Sequence, residues 1–257
     1  MIAFAGGALD PRHWRTFQNL GCLAATASSN TLARELVDLY FEEDQALPST
    51  VLVAEEQVGA RGRGGKPWSA PAGKGLYLTF VRRVEEGEPI SLVPIAVARW
   101  LRDAIADASG VDVRLKWPND LYVGRRKLAG LLSEARTQGE DTYVAVGIGL
   151  NVLGNAASVG VNGATTLEEE AGHPFQLASL LQQVLDRIDR ELCSPDWVSE
   201  VGRWQKLSAH HEGDRLRIRR NGEEIEGEYL GLTAEGFLRL KTGGGETTVT
   251  AGELLQW

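Results

Sequence analysis

Three cations stand within six residues of the segment Arg61-Gly62-Arg63-Gly64-Gly65-Lys66-Pro67-Trp68, spaced by three glycines. Guanidinium forks and an ammonium are the side chains that bind phosphate or carboxylate. Glycine lets the backbone between them take positive φ and approach a ligand closely. A second segment, Lys116-Trp117-Pro118-Asn119-Asp120, ends in a strand stop and a turn. Lys127-Leu128-Ala129-Gly130 opens the next strand, so Lys116, Asn119 and Lys127 can converge at one end of a sheet. The small Ala129 and Gly130, at a position expected to be buried, suggest that something flat packs on the backbone there. A third segment, Gly147-Ile148-Gly149-Leu150-Asn151-Val152, begins like a dinucleotide fingerprint but has Val152 at the third glycine and opens no helix. Its two glycines suit close approach of a ligand or another strand. The phosphate-loop motif fails too, with Ala60 and Pro67 where glycine and a hydroxyl are required. Any nucleotide here is held by a different architecture.

The elements that must position these residues are legible in outline. Val51-Leu52-Val53-Ala54 enters the basic loop and Leu76-Tyr77-Leu78-Thr79-Phe80-Val81 leaves it, both reading as buried strands. A basic loop between two core strands is an anchored anion trap. Leu32, Leu36, Leu39 and Tyr40 give residues 31–40 a helical apolar face, with the cap-forming Ser28, Ser29 and Asn30 before it. A second helix spans 91–108, capped by Ser91, with Pro94 in its first turn and Gly110 past its end. Strands are expected at 113–117, 127–135 and 143–152, and helices at 165–171, 175–193 and 197–207. From Gly213 the chain alternates polar and apolar residues, turns at Asn221-Gly222 and continues as short strands, a compact β module of SH3-like size.

Composition narrows the chemistry. A chain of 257 residues, 43% hydrophobic, suits one sizeable domain or one with a small appendage. No apolar run approaches the roughly 18 residues that span a bilayer, and the first residues lack a basic secretory leader. Cys22 and Cys193 form no disulfide framework or metal-ligand spacing, and the four histidines form no zinc motif, so a reducing cytoplasm is expected. A net charge of −8 disfavours duplex DNA, since cations cluster only at Arg61 to Lys66 and Arg215 to Arg220.

Taken together and in order, Arg-Gly-Arg-Gly-Gly-x-x-Trp, Lys-Trp-Pro-Asn-Asp-Leu, Lys-Leu-Ala-Gly and Gly-Ile-Gly-Leu-Asn-Val make a chain that resembles biotin protein ligases over roughly residues 24–256. Ala164-Thr165-Thr166-Leu167 and the small β module agree with the resemblance. It implies an α+β fold: a mixed β-sheet with helices packed on one side, as in class II aminoacyl-tRNA synthetases and biotin ligases, plus a C-terminal SH3-like β-barrel. Residues 1–210 would be the biotin/ATP-binding catalytic domain and 211–257 the C-terminal domain. It implies an AMP-producing, carbon–nitrogen bond-forming ligase. Such an enzyme joins biotin and ATP as biotinyl-5′-adenylate, then acylates a lysine of a biotin carboxyl carrier protein of acetyl-CoA carboxylase or a related carboxylase.

By the same resemblance the biotin pocket comprises Ser28, Ser29, Asn30, Gln57, Arg61, Gly62, Arg63, Lys127 and Gly130. ATP falls to Arg63, Lys66, Trp68, Lys116, Asn119, Lys127 and Asn151. Lys127, and after it Arg63, would be catalytic, bridging the biotin carboxylate and the α-phosphate, two anions that otherwise repel. No protein nucleophile or protein-held metal is expected; Mg²⁺ would ride on the ATP phosphates. Asp120 could take the acceptor lysine's proton or simply build the turn. The departures from the family pattern are Ser29 for threonine, Ala60 for glycine, Lys66 for arginine, and Pro67 beside Trp68. Lipoate or octanoate transferases share the fold and the carrier acceptor but lack the Arg-Gly-Arg-Gly loop combined with Lys-Trp-Pro-Asn-Asp. A biotin-sensing repressor would need a winged helix-turn-helix, and the two dozen residues before Ala25 show no two-helix pattern, so no specific DNA partner is expected. A catalytically dead binding module is disfavoured by Arg63, Lys116 and Lys127. No membrane partner is expected, and monomer and homodimer are both open. The three cations at 59–68 are expected to repel one another until a ligand anion draws the loop over itself.

Overall fold

In the computed structural model, which describes all 257 residues, the apolar runs flanking the basic loop become adjacent antiparallel strands. In chain order, a hairpin of β1 (Ile2–Phe4) and β2 (Gly7–Leu9) precedes β3 (Asn19–Thr26), α1 (Ser29–Glu42), β4 (Thr50–Gln57) and β5 (Gly75–Arg83). Then come α2 (Val93–Ser109), β6 (Arg114–Lys116), β7 (Asp120–Val123), β8 (Arg126–Gln138) and β9 (Asp141–Asn151). Helices α3 (Ala156–Val159), α4 (Leu167–Ala171), α5 (Leu177–Cys193) and α6 (Trp197–Lys206) lead to five further strands. These are β10 (Arg215–Arg220), β11 (Glu223–Leu232), β12 (Leu238–Thr242), β13 (Gly245–Val249) and β14 (Glu253–Gln256).

The central sheet has seven strands in the order β3-β4-β5-β9-β8-β7-β6, with only β3 and β4 parallel. Period-two alternation decides what each face does. Val51, Val53, Leu78, Phe80, Val144, Val146 and Ile148 point to one face and join α2 and α5 in a single core of 49 buried residues. Their neighbours Leu52, Val81 and Ala145 point the other way and pack against Ala33 and Val37 of α1. The helices therefore occupy both faces, not one side as expected: sequence periodicity finds an amphipathic helix but not which face of a buried strand it meets. Beyond α1 this second face is open.

Ser28 caps α1 as expected, its Oγ accepting from the Thr31 N–H at 3.4 Å. Helix α2 begins later than expected: Ser91 sits in a short 3-10 turn, Leu92 occupies the cap without a side-chain bond, and Gly110 ends the helix at φ 71°. No element was expected in the first twenty residues, where the strands are short and β3 is an edge strand with little β-branching. What holds this segment is a buried carboxylate. Asp189 of α5 accepts backbone N–H bonds from Arg15, Thr16 and Phe17 at 2.9, 2.8 and 3.0 Å.

The C-terminal strands form one antiparallel sheet in the order β13-β12-β11-β10-β14. Strands β13 and β14 are its two edges, so the sheet is open and the expected barrel does not close. Asn221 and Gly222 turn β10 into β11 with positive φ, 51° and 85°, as the Asn-Gly signal required. Arg215, Arg217 and Arg219 on β10 face glutamates across that hairpin, which neutralises much of the second basic run. Leu216, Ile218 and Leu240 of this sheet belong to the same core as α2. Trp117 Nε1 donates to the Gly236 carbonyl at 3.1 Å, and a side chain at Gly236 would meet Ile95 of α2 at 2.9 Å. The module is thus seated on the larger sheet's helical layer. No helix is long and apolar enough to cross a membrane.

Candidate functional site

Hydrogen-bond register lines up one row of residues across the open face: Lys116, Asp120, Gly130, Gly149, Tyr77 and Ala54 on β6, β7, β8, β9, β5 and β4. Lys116 and Asp120 put charge at one end and Tyr77 puts bulk near the other, while the two middle residues, Gly130 and Gly149, have no side chains. The middle is the floor of a cleft of about 960 Å³. Every residue singled out from the sequence as a site residue lines that cleft, from Ser28, Ser29 and Asn30 through Gln57 and the basic loop to Lys116, Asn119, Lys127, Gly130 and Asn151. Segments far apart in the chain, the basic loop, residues 116–130 and residues 147–151, are brought together because β5, β9 and β8 are sheet neighbours.

One end of the cleft is a buried polar network. Thr79 Oγ1 donates to Asn30 Oδ1 at 2.7 Å, so the Ser29 hydroxyl, also 2.7 Å from Thr79 Oγ1, must be the donor in that pair. Asn30 Nδ2 donates to the Leu132 carbonyl and to Glu134, both at 3.1 Å. The Asn30 amide is therefore spent on the protein, whereas Ser29 keeps its acceptor lone pairs. Gln57 Oε1 accepts the Ser29 N–H at 2.6 Å, fixing the first turn of α1 at the cleft wall.

Gly147 and Gly149 admit side chains rather than a second strand. A Cβ at Gly147 would lie 1.8 Å from Asn30 Oδ1, and one at Gly149 would lie 2.5 Å from the Trp68 indole. The two sites should respond differently. Gly147→Ala has to dislodge a fully bonded buried amide and is expected to cost about 2–3 kcal/mol by overpacking. Gly149→Ala pushes on a loop tryptophan that can move, and is expected to cost less than about 1 kcal/mol. Urea melts of the two variants check the contrast; equal losses would contradict it.

The basic loop is folded on itself. Gly62 N–H donates to the Lys66 carbonyl at 2.8 Å and Trp68 N–H to the Ala60 carbonyl at 2.9 Å. Gly64 and Gly65 take φ of 66° and 74°, which their glycines permit. Rather than confronting one another, the cations reach away: Arg63 Nη1 donates to the Gly252 carbonyl at 3.2 Å and Lys66 pairs with Glu253, both across the module junction. The Trp68 indole N–H is buried without an acceptor, a donor left for a ligand. Burial lowers the Arg63 pKa, with Asp120 and Glu253 opposing that shift.

Lys127 is set by its main chain, its N–H bonded to the Gly163 carbonyl at 2.7 Å and its carbonyl to the Thr165 N–H at 2.9 Å. Its ammonium pairs with Asp120 at 2.7 Å and lies 5.4 Å from the Trp68 ring centroid. It passes over Gly130, where a Cβ would come within 3.1 Å of Nζ. The space left by Gly130 is thus filled first by a lysine. Asn119 and Asn151 each donate a side-chain N–H to a backbone carbonyl, of Leu131 and Thr165, leaving their oxygens as acceptors. Arg61, Arg63, Lys116, Arg125 and Arg220 line the cleft with no ion-pair partner. In a chain of net charge −8 this wall is uncompensated positive charge, an arrangement suited to a multiply charged anion.

Sequence reasoning missed Thr79 and the module residues Gly252, Glu253 and Trp257. Thr79 lay inside an apolar run, where a lone hydroxyl among buried residues was the available signal.

The chain matches the biotin/lipoate A/B protein ligase family over residues 23–151 and the biotin protein ligase C-terminal domain over residues 213–254. It is 33% identical over 207 residues to the bifunctional ligase/repressor BirA of Salmonella typhimurium, covering 75% of this chain and 62% of that one. It thus spans less than two thirds of that relative, and the same holds for the Escherichia coli protein of that name, of which 61% is covered. It is 30% identical to the biotin–[acetyl-CoA-carboxylase] ligase of Paracoccus denitrificans, covering 80% of this chain and 90% of that one. Among solved structures, the biotin protein ligase of Aquifex aeolicus in complex with biotin and ATP superposes with a TM-score of 0.73 at 25% identity, over 93% of this chain and 98% of that one.

Proposed function

This chain belongs to the biotin/lipoate A/B protein ligase family, and from that premise we propose that it is a biotin–[biotin carboxyl-carrier protein] ligase. It activates biotin with ATP as biotinyl-5′-adenylate and passes the biotin to a lysine of a carboxylase carrier domain. Residues 1–210 act as the catalytic domain and 211–257 as a module that completes the nucleotide side. The observation that carries the reading is Lys127, an ammonium held on a side-chain-free floor between the Ser29–Asn30 network and the cationic loop.

Biotin fits the end with a few polar groups in an apolar wall. Ser29 accepts a ureido N–H with its free lone pairs, Asn30 and Thr79 keep Ser29 in place, and Leu132, in register with Gly147 on the same face, packs on the apolar rings and chain. ATP fits the cationic end, with the Trp68 N–H and the Asn119 and Asn151 oxygens as further partners. Where the two meet, Lys127 contacts carboxylate and α-phosphate together, offsetting their repulsion most strongly as charge builds in the transition state. Arg63 supports it from the loop. Holding the reactants in line supplies much of the remaining rate, and no protein nucleophile is needed.

The carboxylates on the wall, Asp120 and Glu253, are each tied to a lysine. They fit a Mg²⁺ carried on the nucleotide's phosphates better than one held by protein, and such an ion would neutralise phosphate charge. A cytoplasmic setting and a carrier-protein partner without DNA recognition follow from the same reading. The test is transfer of radiolabelled biotin to a carrier domain with ATP and Mg²⁺ present or withheld, with lipoate as competitor. ATP-dependent labelling that lipoate does not suppress is expected. Labelling without ATP, or transfer of lipoate at the same rate, would contradict it.

A further inference from the structure

Lys116 is held differently from the other lysines in the cleft. Lys66 and Lys127 each have a carboxylate, but Lys116 has none, although it is only 9% exposed. Its one hydrogen bond is a long one, 3.4 Å to the Tyr122 hydroxyl. A buried ammonium with no carboxylate in contact is unfavourable unless something replaces its water. Two aromatic faces do so. Nζ lies 4.9 Å from the Tyr122 ring centroid and 5.2 Å from that of Trp257. The two rings stand almost perpendicular, 83° between planes with centroids 5.1 Å apart, so the ammonium sits in a corner.

Trp257 is itself fixed from three directions. It follows β14, which pairs with β10 of the module. Arg125, from the turn between β7 and β8, donates Nη1 to its carbonyl at 2.8 Å, with the guanidinium 5.3 Å from its ring centroid. His210, buried at the junction, abuts its ring edge-on at 5.4 Å. So the C-terminal module delivers one side of the corner and the catalytic sheet delivers the other.

We propose that Trp257 is a positioning residue for the nucleotide half of the reaction: with Tyr122 it holds the Lys116 ammonium in place without neutralising it, so that the full charge is available to a phosphate. A carboxylate would hold the lysine as firmly, but that pair must break, or stay and repel, when a phosphate arrives. An aromatic face attracts a cation through its quadrupole and presents no net charge to the incoming anion. Burial lowers the Lys116 pKa, Lys127 and Lys66 act in the same direction, and Asp120 and Glu253 oppose them; contact with two rings favours the charged form. The proposal rests on the ligase reading above.

The test compares Trp257→Leu, which keeps apolar bulk, with Trp257→Phe, which keeps a π face. Each is made alone and with Lys116→Met, in the full chain. Trp257→Leu should raise the KM for ATP in biotin-dependent pyrophosphate release about tenfold, with the Kd for biotin measured calorimetrically without nucleotide staying within about twofold. Trp257→Phe should recover most of that loss, and Trp257→Leu should add nothing once Lys116 is methionine. Leucine performing as well as phenylalanine, equal weakening of biotin, or a full additional loss in the Lys116→Met background would each overturn the proposal. Should the wild-type protein release no pyrophosphate, the ligase reading would fall and the aromatic corner would be judged on ¹³C-lysine NMR. Ring-current upfield shifts of the Lys116 ε-methylene that relax in Trp257→Leu uphold it; an unshifted signal overturns it.

Discussion

Replacing Lys127 by alanine is expected to slow biotinyl-adenylate formation by about 10²- to 10³-fold while leaving the protein folded, the scale at which a preorganised donor to a developing charge is lost. The geometry separates the two effects. The backbone at Lys127 is fixed by its bonds to Gly163 and Thr165, which alanine retains. The side chain is 30% exposed and belongs to no apolar cluster, so truncation removes an ammonium and no core. Asp120 loses its partner but, being 19% exposed, retains access to water. Lys127→Arg keeps the charge but replaces a point charge with a wide planar fork above Gly130, and should recover only part of the rate. Single-turnover pyrophosphate release with a thermal melt on the same sample decides it; a folded alanine variant within about threefold of wild type would remove Lys127 from its role.

The largest stability effect is expected far from the cleft. Arg99 of α2 and Glu200 of α6 form a two-pronged pair, Nε and Nη2 each 2.6 Å from a carboxylate oxygen. Their side chains are 6% and 1% exposed. Asp103 adds a contact to Arg99 at 2.7 Å, and the Trp100 indole N–H donates to Glu200 at 3.2 Å. Arg99→Ala leaves a buried carboxylate with only the Trp100 indole N–H at 3.2 Å and the half-exposed Arg203 guanidinium at 3.9 Å, and should destabilise by about 3–5 kcal/mol. That is a large part of the roughly 5–15 kcal/mol available to a domain. The double variant Arg99→Met, Glu200→Leu should recover most of it, because no charge is then left buried. Urea melts of the single and double variants measure this; a single variant losing less than about 1 kcal/mol would mean that Glu200 finds water or another donor. Since α6 carries the chain into the C-terminal module, the single variant should also lower the yield of active protein.

The cleft was more legible in the sequence than the fold around it, for a physical reason. Arg61 to Trp68, Lys116 to Asp120 and Lys127 to Gly130 are local runs whose residue types state their chemistry, and the strands beside them are fixed by apolar alternation. The Ser28 cap and the Asn221-Gly222 turn are likewise decided by a few adjacent residues. What lay hidden depends on contacts between distant segments. That Gly147 leaves room for Asn30, and Gly149 for Trp68, follows from β9 lying beside β5 and β8. That α1 takes the face opposite to α2 follows from which of two equally apolar strand faces it meets. The edge strand β3 carries little pattern because only one neighbour constrains it. The expected barrel stays open because β13 and β14 never meet, which no single strand's composition reveals. Glu253 and Trp257 reach the cleft only because Gly236 lets the module settle on Ile95 and Trp117.

The central claim is that this cleft joins a carboxylate to the α-phosphate of ATP, and it is tested most directly without any carrier protein. Biotin-dependent exchange of labelled pyrophosphate into ATP reports the reversible first step alone. The account predicts exchange that requires both biotin and Mg²⁺, is not supported by lipoate, and falls with Lys127→Ala as adenylate formation does. No exchange with biotin, from protein shown by its melt to be folded, would contradict it.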